Sequence, residues 1–446
     1  MSSFNDIKLS KQILNALADA GFETPTSIQK EVFAPVRSGK DVIGIAQTGT
    51  GKTLAYLMPI LMKLGYAQGM DPRALIVVPT RELVVQVCET IELLSPYLNI
   101  RALALYGGVN INTQKEQVCE GADILVATPG RLMDIYMTRI LKFTNIRTLV
   151  IDEADKMMDL GFMPQLKAIF EILPERHQNL LFSATFSDVV DQLADDFLVS
   201  PQRIEVAPQA STVENIHQKQ YHVKNILSKV NLLKFLLEDE VVFNKVMIFT
   251  ETKRNADRIV DRLESVLGDN LSVIHGNKAQ STRLNALNAF KEGRARVMVS
   301  SDVAARGIDI DNVSHVINFD MPNNYVEYVH RVGRTGRADK SGTAISFVNA
   351  AEEELMEKVE ALIGKPVLLE EIPEGVELTS QLLEDEKIQT RNVRVKMAAK
   401  KGAGFHEKSA KNSKTPSGSK GLMKQRENSK RNAKRNAKRN AKRKKK

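Results

Sequence analysis

The stretch that most constrains this chain is Val42-Ile43-Gly44-Ile45, followed at once by Ala46-Gln47-Thr48-Gly49-Thr50-Gly51-Lys52-Thr53. The apolar run reads as a buried strand, and Thr53-Leu54-Ala55-Tyr56-Leu57 starts a helical pattern. Strand, Gly-rich turn and helix in that order form the context of a phosphate-binding loop. The pattern G-x-x-x-x-G-K-[ST] is met except that Ala46 replaces its first glycine. Glycines let backbone N–H groups approach phosphate oxygens, and the helix N-terminus adds its positive end. Lys52 then reaches the β- and γ-phosphates, and the Thr53 hydroxyl ligates Mg²⁺. The chain is expected to bind a nucleoside triphosphate.

A length of 446 residues suggests two or three domains, and a hydrophobic content of 43% suffices for ordinary cores. No apolar run reaches the length of a membrane span, and the first residues lack a basic-then-apolar leader. Cys88 and Cys119, the only two cysteines, argue against a disulfide framework and suit a reducing cytosol. Seven scattered histidines show no metal-ligand spacing. The net charge of +9 conceals an asymmetry. Residues 401–446 hold 18 of the 63 Lys/Arg but only two of the 54 acidic residues, Glu407 and Glu427. The preceding 400 residues are left with 45 basic against 52 acidic, so a mildly acidic body carries a strongly basic tail.

In chain order, Ile13, Leu14, Leu17 and Ala20 recur at helical spacing, with Gly21 as the stop. Pro25 and Thr26 open a second helix through Gln29 and Val32. A carboxamide such as Gln29 can pair with an adenine edge and so favour ATP, and Phe4 can stack on the base. A surface amide and a core-packing ring are the plainer alternatives. Apolar runs at Ala74–Val78, Ala102–Leu105, Ile124–Ala127, Thr148–Ile151 and Leu180–Phe182 join Val42–Ile45 in outlining a parallel α/β sheet.

Several of these runs end in turns suited to ligands. Val78 leads into Pro79-Thr80-Arg81-Glu82-Leu83, and Ala127 into Thr128-Pro129-Gly130-Arg131. In each, a Thr can cap a new helix at the carboxyl end of a strand, where open α/β sheets bind ligands. With Gly107-Gly108, Arg81 and Arg131 these turns can grip a phosphate backbone, or serve as helix caps alone. Ile151 leads into Asp152-Glu153-Ala154-Asp155, where Asp152 suits Mg²⁺ and Glu153 suits activation of the attacking water. An exposed acidic turn is the alternative. Ser183-Ala184-Thr185 is a hydroxyl-bearing turn fit for a hydrogen-bonded relay.

Apolar periodicity lapses around Ala207 to Thr212, which reads as a linker over 207–216 between a first domain (1–206) and a second (217–365). The second set of strand-like runs is Val246–Phe249, Leu271–Ile274, Val297–Val299, Val316–Phe319 and Ala344–Val348, with no second phosphate loop. It carries His275-Gly276 with Gln280 and Arg283, then Asp302 to Asp309, then His330-Arg331-Val332-Gly333-Arg334-Thr335-Gly336-Arg337. Arg334 and Arg337, three apart beside glycines, can both face a transferring phosphoryl group, a contribution worth roughly 10³–10⁵ in rate.

These motifs, in this order, resemble the DEAD-box ATP-dependent RNA helicases of superfamily 2, most like the bacterial RhlE-type branch. The resemblance runs from Phe4 to about Val348. It implies two tandem RecA-like domains with parallel sheets. It also implies that Phe4 and Gln29 recognise adenine, that Thr48, Gly49, Thr50, Gly51, Lys52 and Thr53 hold phosphates and Mg²⁺, and that Asp309 contacts ribose. Asp152 and Glu153 then serve metal and water, while Arg334 and Arg337 reach the γ-phosphate from the second domain. RNA, as a single strand or short duplex, is expected against Pro79, Thr80, Arg81, Gly108, Thr128, Gly130, Arg131, Thr250, Arg283 and Gly307. Ser183 and Thr185 are expected to link hydrolysis to strand separation. Ser301 stands where the family usually has Thr, with the hydroxyl kept.

The implied activity is RNA-stimulated ATP hydrolysis coupled to local, non-processive unwinding or RNA–protein remodelling by a cytoplasmic monomer. Neither half holds both the phosphate loop and the arginines, so hydrolysis requires closure of the cleft. An ATP-gated RNA clamp or annealing factor is the alternative, and DNA unwinding a third reading. From Pro366 apolar content falls, and the basic end repeats Arg431-Asn432-Ala433-Lys434 from Arg435 and again from Arg439. This tail, 366–446, is expected to be disordered when free and to tether RNA through phosphate contacts.

Overall fold

The apolar runs become the central strands of two parallel sheets, each sheathed by helices on both faces. The structure, a computed structural model, describes residues 3–47, 49–206, 216–305, 310, 313–336, 342–383 and 386. The first sheet comprises β1 (Val42–Ile45), β2 (Ala74–Val77), β3 (Ala102–Leu105), β4 (Ile124–Ala127), β5 (Thr148–Ile151), β6 (Gln178–Ser183) and β7 (Gln202–Glu205). Its order is β3-β4-β2-β5-β6-β1-β7. The second comprises β8 (Ile216–His222), β9 (Val246–Thr250), β10 (Leu271–Ile274), β11 (Val297–Ser301), β12 (His315–Asn318), β13 (Gly342–Val348) and β14 (Leu368–Glu370). Its order, β10-β11-β9-β12-β13-β8-β14, repeats the first position for position.

Helices α1 (Lys11–Asp19), α2 (Ser27–Arg37), α3 (Lys52–Leu64), α4 (Arg81–Leu94), α5 (Ile111–Glu120), α6 (Pro129–Tyr136), α7 (Ala154–Asp159), α8 (Met163–Ile172) and α9 (Asp188–Phe197) belong to the first lobe. The second holds α10 (Ile226–Leu237), α11 (Lys253–Leu267), α12 (Gln280–Lys291), α13 (Asp302–Ala305), α14 (Tyr325–Val332) and α15 (Glu353–Ile363).

Strand alternation divides the first lobe's core in two. Val42, Ala74, Ile76, Ile124, Val126, Val150, Leu180 and Phe182 face the cluster that includes residues of α2, α3 and α4. Ile43, Ile45, Leu75, Val77, Leu125, Ala127, Leu149, Ile151 and Leu181 face the other, with residues of α6, α8 and α9. Gly44 pairs with Phe182 across β1 and β6. A Cβ there would collide with the Phe182 ring, which also packs against Tyr56 at 5.2 Å.

The helix starts follow local chemistry. Ser10 caps α1 by accepting from Ile13 N, and Gly21 follows that helix in the left-handed region, φ 76°. Thr80 caps α4 through a bond from Leu83 N at 3.4 Å. Thr128 occupies the N-cap of α6 without such a bond, so Pro129 in the first turn is what marks that start.

Three strands go beyond the sequence expectation. β7 and β14 lie at sheet edges and present mostly polar or exposed residues. β8 reads Ile-His-Gln-Lys-Gln-Tyr-His, yet it is paired on both sides, by β13 and β14. The second lobe also runs past residue 366, where composition placed the start of the tail. β14 pairs with β8, Ile372 and Val376 pack on the core, and Asn225 and Asn231 donate to the carbonyls of Thr379 and Glu377. Of the expected linker, 207–215 lies outside the described residues and Ile216 is the first residue of β8. The repeat of the basic tail also lies outside them.

His315 packs against Phe243 with ring centroids 4.3 Å apart and planes tilted by 36°, and burial together with Lys219 pushes its pKa down to about 4. A base with a depressed folded pKa stays neutral while the unfolded chain takes up a proton, so stability is lost as pH falls from about 6.5 toward 4. Between pH 7 and pH 5 this residue should cost about 1 kcal/mol, the full shift being reduced by solvent screening of a partly buried ring. Urea denaturation of the wild type and His315→Asn at both pH values tests it. Equal losses in the two proteins would exclude the assignment.

Candidate active site

At the carboxyl end of β1 the chain turns through Gly51 at φ 84° into α3. The Gln29 amide spans this turn, accepting from Thr26 N at 3.0 Å and donating to Gly51 O at 3.2 Å. A Cβ at Gly51 would strike that amide nitrogen. Gln29 is therefore bonded to the phosphate loop itself here, whereas its residue type alone points to a base. Phe4 is 4% exposed and lies in the first core cluster beside α2 and α3. Lys52 is buried and donates from Nζ to Ala46 O at 2.6 Å, and burial lowers its pKa despite Asp152, Glu153 and Asp155 nearby. Thr50 closes the loop by donating to Gln47 O at 2.7 Å. Gly49 is exposed and Thr53 half-buried, while Thr48 lies outside the described residues.

The acidic turn sits at the end of β5, beside β6. Asp152 is 2% exposed. It accepts from Tyr56 Oη at 3.0 Å and from Glu153 N at 2.9 Å. Burial pushes its pKa up to about 6, with Lys52 pulling the other way. Glu153 adopts the left-handed conformation, φ 54°, uncommon outside glycine and typical of constrained functional turns. Its Oε1 pairs with Lys156 Nζ at 2.6 Å, and its Oε2 is buried without a hydrogen-bond partner.

Asp155 joins this turn to the hydroxyl-bearing turn after β6. Its Oδ2 accepts from both the N–H and the Oγ1 of Thr185, each at 2.9 Å. Asp155 N donates to Ser183 Oγ, which donates in turn to Thr185 O at 2.6 Å. Burial alone would raise the Asp155 pKa, but Lys52, Lys156 and Thr185 outweigh it and hold the carboxyl below its usual value. Asp155 has no role legible in the acidic motif itself, because its partner lies 30 residues on.

The residues expected to meet a nucleic acid form a second group. Pro79, Thr80 and Thr128 are buried at strand ends, and Gly130 faces open space. Arg81 lies over Gly107 and Gly108 so closely that a Cβ at Gly108 would collide with its guanidinium. Arg131 donates to Gln114 Oε1 at 2.7 Å and to Val109 O at 3.1 Å, bracing the same loop.

From the second lobe, Arg283 pairs with Glu82 Oε1 at 2.8 Å, and Gln280 bridges Glu82 at 3.1 Å and Arg81 at 3.5 Å. Glu82 is 1% exposed, and nothing in its own stretch of sequence, between Arg81 and Leu83, announces this role. Thr250 is fully buried and donates to Thr252 O. Arg334 is 5% exposed, just beyond α14. Its neighbour Arg331 forks onto Asp302, with both bonds at 2.6 Å. Gly307, Asp309 and Arg337 lie outside the described residues.

Two parallel α/β lobes in tandem, with a phosphate loop in the first alone, define a nucleotide-driven enzyme of the RecA-like class. Comparison with known proteins narrows the class. Residues 26–193 match the DEAD/DEAH box helicase family and residues 228–339 the helicase conserved C-terminal domain. The chain is 39% identical to the DEAD-box ATP-dependent RNA helicase CshA of Bacillus cereus over 81% of its own length and 68% of the relative. Among solved structures it resembles S. cerevisiae Dbp5 bound to RNA and ADP BeF3, with TM-score 0.73, 28% identity, and 84% and 96% of the two chains covered. It also resembles Mss116p bound to ssRNA and AMP-PNP, with TM-score 0.75, 26% identity, and 83% and 80% covered. The chain belongs to the DEAD-box ATP-dependent RNA helicases. Among the described residues no helix is long and apolar enough to cross a membrane.

Removing the Glu82 charge while keeping its shape leaves Arg283 buried without its counter-ion, a loss of about 3 kcal/mol or more. Glu82→Gln should separate the lobes in nucleotide-free protein, read as lower energy transfer between dyes placed one on each lobe. Unchanged transfer would show that the Glu82–Arg283 pair does not hold them.

Proposed function

We propose that ATP is hydrolysed at the end of β1 and β5 and that the reaction is gated by RNA. The observation that carries this is the Glu153 Oε2 atom, a carboxylate oxygen buried and unpaired beside Asp152 and Lys52. A buried acceptor without a donor is costly, and an attacking water or its proton would satisfy it. Glu153 then acts as the base, its other oxygen held in place by Lys156.

Mg²⁺ fits the donor set. Asp152 is a carboxylate whose pKa burial raises, and the Thr53 hydroxyl lies in the first turn of α3. No group of three His, Cys, Asp or Glu side chains able to hold a metal exists among the described residues. Asp152 and Thr53 would hold the ion, with phosphate oxygens and water as its further donors. When bound, the ion neutralises charge developing on the phosphoryl group. Lys52, freed from Ala46 O, turns to the phosphates, and Gln29 keeps the loop in shape while its free valence meets the base. Phe4 supports that wall from the core. Arg334 and Arg337 complete the site when the lobes close on the nucleotide, with Asp309 at the ribose.

RNA engages the turns at Pro79–Arg81, Gly108 and Thr128–Arg131 on the first lobe. Thr250, Arg283 and Gly307 meet it from the second. Arg81 and Arg283, tied to each other through Gln280 and Glu82, must exchange those bonds for phosphates, so RNA binding alters the lobe contact. The state of the γ-phosphate reaches Thr185 through Asp155, which ties hydrolysis to release of the strand. The outcome is local strand separation or RNA–protein remodelling by a cytoplasmic monomer, with the basic tail adding sequence-independent affinity.

ATP turnover with and without single-stranded RNA, compared between wild type and Glu153→Gln, tests this reading. RNA stimulation in the wild type should fall by at least about 10²-fold in the variant while ATP still binds. Equal, negligible turnover in both proteins, with ATP-dependent RNA retention intact, would leave an ATP-gated clamp instead.

A further inference from the structure

The elements that carry the catalytic groups at one end carry a second cluster at the other. α3 begins with Lys52 and ends at Lys63 and Leu64. β5 runs from Thr148 toward Asp152, and β6 from Gln178 to Ser183. Around the starts of β5 and β6 and the end of α3 lies a cavity of about 740 Å³, lined by Ile60, Lys63, Arg147, Arg176, His177 and Gln178, among others. A smaller hollow of about 490 Å³, sharing Gly39 and His177, adds Lys40 and Asp41, whose carboxylate accepts from Asn179 N and Val199 N at 2.8 Å each. Strands of four to six residues at roughly 3.3 Å each put this cavity about 13–20 Å from the nucleotide end.

We propose that this cavity is an anion site for a small organic phosphate bearing a di- or triphosphate group, separate from the ATP site. Its charge is largely uncompensated. Lys63 donates only to the Gln178 amide, at 2.7 Å. Among the described residues Arg147 and Arg176 have no carboxylate within ion-pair distance and no side-chain hydrogen bond. The carboxylates nearest in sequence, Asp71 and Glu175, do not line the cavity, and Asp71 accepts from Asn145. The buried Asp123 nearby is already shared by Arg73 and Arg101.

Two buried nitrogens of the lining residues lack partners. Arg73 uses its Nη atoms on Leu64 O, Tyr66 O and Asp123, which leaves Nε unpaired. His177 Nδ1 lies 2.6 Å from Pro174 O and so holds the proton on that side, which leaves Nε2 unpaired.

The shape favours a small molecule over a strand. The volume lies within the usual range of ligand pockets, and Ile60 and Leu64 give it an apolar wall beside converging cations. Arginine pairs suit phosphate oxygens because each guanidinium presents a planar fork of donors. The turns expected to grip RNA lie at the other ends of the strands.

The probe is inorganic pyrophosphate, titrated calorimetrically into the full chain carrying Lys52→Ala, which removes the phosphate-loop cation from the ATP site. Binding should weaken at least about tenfold in the Arg147→Glu/Arg176→Glu double variant and persist in Arg147→Lys/Arg176→Lys. Thermal melting of both variants checks that they fold, and with Lys52 intact both should keep RNA-stimulated ATPase. Absence of pyrophosphate binding to the Lys52→Ala chain would overturn the proposal. So would equal binding by the Glu variant, which would place the anion on the basic tail. Loss of RNA affinity in the Glu variant without pyrophosphate binding in the wild type would make the cluster a nucleic-acid contact and equally overturn it.

Discussion

Buried charge at the end of β5 is the constraint on which the first lobe depends. Lys52, Asp152, Glu153, Asp155 and Lys156 are each less than 9% exposed, and each ion removed from water costs several kcal/mol unless compensated. Compensation is local and nearly complete. Lys156 meets Glu153, Tyr56 and a backbone N–H meet Asp152, and Thr185 meets Asp155 twice. The residual negative charge and the unpaired Glu153 oxygen mark where the fold stops short of satisfying itself. The desolvation of that acceptor is left uncompensated by the fold itself.

The strained backbone belongs to the same arrangement. Glu153 sits at φ 54° because its neighbours on both sides are committed: Asp152 faces Tyr56, and Asp155 faces Thr185. Reversing the chain direction between those two carboxylates puts the intervening Glu153 side chain into a buried position beside Lys156. Strain of this kind is worth about 1–3 kcal/mol and persists only where the surroundings over-determine it. β5 is buried throughout and α3 from Leu54 to Leu61, which supplies that rigidity.

Legibility of the sequence tracked how local the physics is. Strands buried on both faces were plain as apolar runs, since a central parallel strand needs unbroken continuity such as Leu149-Val150-Ile151. The phosphate loop and the acidic turn were equally plain, being short stretches whose chemistry is self-contained. β8 was hidden because its seven residues are mostly polar, and its burial comes from β13 and β14, which lie far along the chain. Glu82 and Asp155 were hidden for the same reason: their partners Arg283 and Thr185 are distant in sequence, and no local pattern announces a pairing. Gln29 shows the converse. Its residue type suggested a base contact, while the bonds to Thr26 N and Gly51 O commit its amide to the loop after β1, which spacing alone does not reveal.

The two sheets share one strand order, yet the lobes differ in what stands at the equivalent helix start. In the first lobe the helix after the first strand, α3, opens onto the phosphate loop. Its counterpart in the second lobe is α10, which follows β8, and there the N-terminus is filled by the chain itself. Asn225 accepts from Ser228 N and donates to Thr379 O, and Thr379 N donates back to Ser228 Oγ. A returning segment thus stands where the first lobe keeps room for a ligand. Of the two equivalent helix starts, the doubled scaffold caps one with its own chain.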